Sequence, residues 1–271
     1  MTNQRLFMQL RGILSELSEK EYPESYAIIC DNTDMENEVL YDDVDSIVAQ
    51  LHDADGTKQL PGCIFNFLTE FYEDKWKDGN ADAACDLGSL YYTGRGGEQN
   101  YAKAVEYYTL AAEGGCDQAQ ENLGYCYYYG RYVEVDYKKA FHYFALGAFS
   151  GNLRSLYKIG DMYRNGYYVE KNEKEAFHIY SRCSETMTGN ALPIVGADVM
   201  MRLGDCYANG IGTLVDNKAA IKYYQYAEQL FFERLETGDF MIRNCYDHVV
   251  QMQVKIRKEL ESTLPSFLWT S

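Results

Sequence analysis

Four glycines, Gly88, Gly124, Gly160 and Gly204, recur at intervals of 36, 36 and 44 residues, and that spacing governs what the chain can become. The same intervals separate Gly94, Gly130, Gly166 and Gly210, then Tyr91, Tyr127, Tyr163 and Tyr207, then Ala104, Ala140, Ala176 and Ala220. Four columns sharing one phase exceed what average glycine usage produces by chance. A period of this length marks an array of supersecondary units. The longer last interval places an insertion before the fourth copy, over residues 184–198.

Each copy reads as two helices. In Glu121 to Gly130, Leu123, Tyr127 and Gly130 share one stripe, and Gly130 is the left-handed stop that helices favour. A short polar connection then reaches Asn100, Asp136, Asn172 or Asp216, residue types whose side-chain oxygen caps a helix start. The second helix carries the Ala column and, four residues on, Tyr108, Phe144, Tyr180 and Tyr224. A glycine inside the first helix costs about 1 kcal/mol relative to alanine, so it needs a cause. Close approach supplies one, with a neighbouring ring lying against bare backbone and burying area worth about 1.5–3 kcal/mol. One helix pair cannot bury its rings alone, so the expected architecture is a stack of pairs.

Composition narrows the partners. Of 271 residues, 46% are hydrophobic, which is enough for a sizeable core. A formal charge of −16 argues against nucleic acid and against recruitment to anionic membranes. Residues 1–80 hold 17 acidic and 6 basic side chains, and Asp31 to Asp45 is acidic throughout. That run fails the calcium-loop pattern at Met35 and Glu36, so it reads as a solvated loop, with a docking patch for a basic partner as the alternative. No apolar run is long enough for membrane insertion, and the start at Leu6 is broken by Gln9, Arg11 and Ser15. A cytoplasmic location is therefore expected. Eight cysteines show no CxxC spacing, so neither zinc nor any other metal or cofactor is expected, and the thiols read as small core residues.

The motifs LGSLYYTG…NYAKAVEYYTLAAEGG, LGYCYYYG…DYKKAFHYFALGAFSG, IGDMYRNG…NEKEAFHIYSRC and LGDCYANGIG…DNKAAIKYYQYAE resemble the Sel-one-like repeat, a relative of the tetratricopeptide repeat. Copy 3 departs with Ile159 and Cys183, and copy 4 lacks the closing A-E-x-G. The resemblance implies an all-α, right-handed superhelical solenoid that serves as an adaptor, usually without catalysis. Secreted relatives with paired cysteines seven residues apart bind β-lactams; that pattern is absent here. The repeats are placed at about 81–118, 119–154, 155–198 and 199–244, after an acidic helical cap region (1–62) and a degenerate leading half-repeat (63–80). A first helix for that half-repeat is expected near Leu40–Asp53, and an amphipathic helix over 3–20 carries Leu6, Leu10, Ile13, Leu14 and Leu17. A closing helix over 245–262, with Val249, Met252, Ile256 and Leu260 on one stripe, precedes a tail containing Phe267, Leu268 and Trp269.

No phosphate loop, HExxH or GxSxG occurs, and His142 and His178 share a repeat phase rather than converging, so no catalytic residue is assigned. What remains is the inner wall of the array, built from first-helix positions that point away from the core columns. These are Asn122, Tyr125, Tyr128 and Tyr129, then Lys158, Asp161, Arg164 and Asn165, then Arg202, Asp205, Ala208 and Asn209. The first copy supplies Asp86, Ser89, Tyr92 and Thr93. A strip of tyrosine, arginine, asparagine and aspartate suits a protein or peptide partner. The alternatives are a cell-wall hydrolase or β-lactam-binding relative, and regulation through the acidic N-terminal region.

Overall fold

The glycine stops and polar caps read from the repeat define the helices seen in the structure. A computed structural model describes residues 3–33, 44–54, 59–97, 99–187, 195–236 and 242–263. Among the described residues every regular element is helical. The chain divides into two compact units, residues 1–135 and 136–271.

The N-terminal unit contains α1 (Asn3–Glu16), α2 (Pro23–Asn32), α3 (Val44–Asp53), α4 (Gly62–Lys77), α5 (Ala81–Thr93), α6 (Tyr101–Glu113) and α7 (Asp117–Tyr129). Its core joins Leu10, Ile13 and Leu17 from the α1 region to Ile29 of α2, Ile47 and Leu51 of α3, Ile64, Leu68 and Phe71 of α4 and Leu87 of α5. The stripe expected along α1 thus folds onto the unit as a cap. Helices α3 and α4 stand where the degenerate leading repeat was expected. Helix α2 had no counterpart in the sequence reading, although Pro23 opens its first turn as proline commonly does. The guanidinium of Arg95, just beyond α5, donates to the carbonyls of His52 and Ala54 at the end of α3. Those carbonyls have no acceptor role inside the helix, and a cation there also favours the helix dipole.

The C-terminal unit contains α8 (Tyr137–Phe149), α9 (Leu153–Asn165), α10 (Glu173–Thr186), α11 (Ala197–Asn209), α12 (Asn217–Glu236) and α13 (Arg243–Thr263). Consecutive helices pack pairwise. On α13, Val249 and Ile256 are buried, Met252 and Leu260 pack beside them, and Lys255, Arg257 and Lys258 face solvent. Most of the acidic run (34–43), part of the expected insertion (188–194) and the tail (264–271) lie outside the described residues, as does the side chain of Leu6.

The local signals recur copy by copy. Gly94, Gly130, Gly166 and Gly210 close their helices at φ of 71°, 69°, 74° and 68°. Asn100, Asp136, Asn172 and Asp216 each accept a backbone N–H three residues on, at 3.0–3.1 Å. The connection is also tied back, because the N–H groups of Asn100, Asn172 and Asp216 donate to the carbonyls of Tyr91, Tyr163 and Tyr207, each at 2.9 Å. Three glycines of the first helices seat rings as expected. A Cβ at Gly88, Gly160 or Gly204 would lie 2.5, 2.7 or 2.6 Å from the ring of Tyr108, Tyr180 or Tyr224. Tyr180 and Tyr224 are fully buried as a result. None of the eight cysteines forms a disulfide, and Cys85, Cys116, Cys126, Cys183 and Cys206 fill buried positions.

Two connections depart from rule. Tyr132 and Tyr168 both sit at φ +66°, where a non-glycine residue costs about 1–2 kcal/mol.

Candidate functional site

The first-helix face has a different character in each unit. In the N-terminal unit it is aromatic. Tyr125 stacks on Tyr129 with ring centroids 6.1 Å apart, and Tyr128 meets Tyr129 edge-on at 4.8 Å. The guanidinium of Arg131 lies 5.3 Å from the ring centres of both Tyr92 and Tyr129. Tyr129 is half exposed. The rings therefore brace one another in a platform with a cation at its edge. Asn122 leans away from this platform, its amide 3.8 Å from the sulfur of Cys85. Nearby, Ser89 is 3.4 Å from the buried Tyr108 hydroxyl. Burial, with Asp82 and Asp53 close by, pushes Asp86 up to about 6.

In the C-terminal unit the same face is a network of charges bound to one another. Asp161 of α9 accepts the Tyr180 hydroxyl at 2.8 Å and two bonds from Arg202 of α11, at 2.5 and 2.8 Å. Lys158 adds a contact of 3.3 Å, and Arg202 also lies 4.7 Å over the ring of Tyr157. Burial opposes the charge on Asp161, but the Arg202 guanidinium holds its carboxyl down at about 2. Asp205 of α11 repeats the arrangement, accepting the Tyr224 hydroxyl at 2.8 Å, Arg164 at 3.3 Å and His248 of α13 at 2.9 Å. Burial again works against Asp205, and bonds from His248 and Tyr224 hold it below the usual carboxylate range.

Several residues expected on an open strip are therefore engaged elsewhere. Lys158 and Asp161 are only 5% and 7% exposed. Arg202 and Asp205 are nearly as covered, and Arg164 is about a quarter exposed. The reason is the buried tyrosine. Its hydroxyl needs an acceptor, the aspartate next to the glycine supplies one, and a base from a neighbouring first helix neutralises that aspartate. Asn165 and Asn209 stay exposed, each donating back to the carbonyl of Asp161 or Asp205 one turn earlier. Tyr92, Tyr125 and Tyr128 are half-buried, and Tyr129 is half exposed.

The structure adds His248, whose contact with Asp205 the sequence reading missed. One signal was present: Asp161–Tyr180 and Asp205–Tyr224 share a spacing of 19 residues, as do Ser89 and Tyr108. His52, in the other unit, lies 2.8 Å from the Tyr72 hydroxyl, and burial lowers its basicity. Among the described residues no group of three or more His, Cys, Asp or Glu side chains is placed to hold a metal ion. No helix among them is long and apolar enough to cross a membrane.

Glycine-seated rings, capped connections and stacked pairs define a helical-repeat protein. The Sel1 repeat profile matches residues 81–116, 117–152, 153–183 and 197–230, half of the chain, and the chain belongs to that family. No curated protein sequence matches it. Among solved structures it is similar to a Sel1 repeat protein from Oxalobacter formigenes, at 27% identity and a TM-score of 0.52, over 59% of this chain and 63% of that one. It is also similar in fold to a protective antigen of uropathogenic Escherichia coli that displays an SLR fold. That match has 20% identity and a TM-score of 0.53, over 92% of this chain and 52% of the other. The chain thus spans less than two-thirds of the length of either relative.

Proposed function

We propose that the chain is a non-catalytic scaffold that captures a polypeptide segment on the aromatic first-helix face of its N-terminal unit. The observation that carries this reading is the cluster of Tyr92, Tyr125, Tyr128 and Tyr129 with Arg131 at its edge. Tyrosine and arginine are the side chains that dominate binding energy at protein interfaces, because each offers a large apolar surface with a polar tip. Rings already braced by neighbours lose little rotamer freedom when a partner lands on them. Membership of a repeat family whose extended surfaces commonly mediate protein interactions supports the same reading. The charged residues of the C-terminal unit act in this scheme as the frame and leave recognition to the tyrosines.

A peptide selected from a displayed random library against the native chain tests it. The Tyr128→Ala/Tyr129→Ala double variant should bind that peptide at least about tenfold more weakly, with helical circular dichroism unchanged. Equal binding by the two proteins would remove the tyrosine face from the function.

A further inference from the structure

We infer that the C-terminal unit carries a separate docking site, over the first turns of α8, for an acidic polypeptide segment with an aromatic or branched aliphatic anchor. The site is an open depression of about 600 Å³. Phe141 and Ala145 form its floor, Tyr168 one wall, and Lys138, Lys139 and His142 its rim. A carboxylate that lines it, Asp136, accepts the N–H of Lys139 as the cap of α8.

Tyr168 marks the site. Its backbone sits at φ +66°, yet its side chain is 56% exposed. The equivalent place in the next repeat holds Gly212, at φ +70°, where a Cβ would come within 2.0 Å of the Glu173 carbonyl oxygen. That copy shows that glycine suits the conformation and that the connection there closes onto the start of α10, the second helix of the preceding repeat. At 168 the same conformation carries a ring instead, tilted 5.6 Å from Phe141 and about half exposed. Tyr132 takes the same conformation one copy earlier with 67% of its surface exposed, so the conformation belongs to the repeat; at 168 it places the ring beside Phe141 and two lysines. The ring and Phe141 form an apolar slot for one anchor side chain.

Charge selects the partner. Two adjacent lysines line the slot, against one aspartate, on a chain whose formal charge is −16. A local reversal of sign steers an acidic segment to this place, while the overall field repels a long polyanion such as nucleic acid.

The test is fluorescence anisotropy on the full chain, with a labelled hexapeptide of five acidic residues around one phenylalanine. Binding should saturate and weaken as ionic strength passes about 0.1 M. It should fall at least about tenfold with Tyr168→Gly, with Lys138→Glu/Lys139→Glu, or with serine in place of the peptide's phenylalanine. Tyr168→Gly should hold or raise Tm, because glycine takes this conformation without strain. Native-like binding by Tyr168→Gly, equal binding of the serine peptide, or a fall in its Tm of several degrees would each overturn the site. So would equal binding of a six-nucleotide single strand, which would point to phosphate recognition. Loss of a dimer in Tyr168→Gly would assign the face to a second copy and overturn it as well. The Tyr128→Ala/Tyr129→Ala variant should bind the hexapeptide normally, so this reading and the tyrosine-face reading fail independently.

Discussion

The N-terminal and C-terminal units use one face of one helix type in opposite ways. In the first, Tyr125, Tyr128 and Tyr129 of α7 brace one another, and Tyr129 is half exposed. In the second, the same face holds Lys158, Asp161, Arg164, Arg202 and Asp205, and these satisfy each other. Equal repeat phase therefore fixes where a side chain starts but not whether solvent reaches it. That depends on what the facing copy supplies: a carboxylate opposite a base closes over itself, whereas rings opposite rings leave an apolar platform.

The largest effect should come from breaking the charged face. Asp161→Ala leaves Lys158 and Arg202 covered without their shared carboxylate, and chemical denaturation should show a loss of about 3–5 kcal/mol. A loss under 1 kcal/mol would mean that the network is peripheral, and the contrast between the units would fall with it. Next comes the packing that both units share. Gly160→Ala pushes a methyl to within 2.7 Å of the fully buried Tyr180, so it should destabilise by about 1–3 kcal/mol despite alanine's better helix propensity. Gly12→Ala is the control: nothing lies within 4 Å of that methyl in α1, and it should stabilise by up to about 1 kcal/mol.

The smallest effect separates the two carboxylates by pH. Bonding to Asp205 raises His248 above its usual value near 6.5, against a smaller opposing effect of burial. A group raised on folding contributes fully below its unfolded pKa and loses that contribution as pH rises through the folded one. The Asp205–His248 contact should therefore weaken from just above pH 6.5 upward, by less than about 1 kcal/mol since the imidazole is partly exposed and screened. Asp161 is lowered on folding, so its contribution holds above pH 3.8 and disappears only as pH falls towards 2. Denaturation midpoints at pH 5.5 and 8.5 should differ in the native chain and converge in His248→Gln. An unchanged pH slope in that variant would remove His248 from the account.

How much of this was legible in the sequence follows from what periodicity can carry. The glycine stops, polar caps and ring seats depend on neighbours within one helix pair, so they repeat with the phase and were read in place. The engagement of Arg202 depends on a partner 41 residues away, and a face assignment from spacing alone cannot see it. The recurring distance from aspartate to buried tyrosine was the available clue, since a phenol in the core must find an acceptor. Helix α2 escaped because it belongs to no repeat column and has only Pro23 to announce it.

The order of partners in the C-terminal unit has a consequence for how such a chain can be lengthened or trimmed. Asp161 takes its guanidinium from α11, whereas Asp205 is met by Arg164 of α9 and by His248 of α13, so each carboxylate is answered by residues outside its own helix pair. Copies of this kind are not interchangeable bricks. A duplicated or excised segment must deliver a matching cation at the new join, or it strands Asp161 without the guanidinium of the following copy or Asp205 without that of the preceding one.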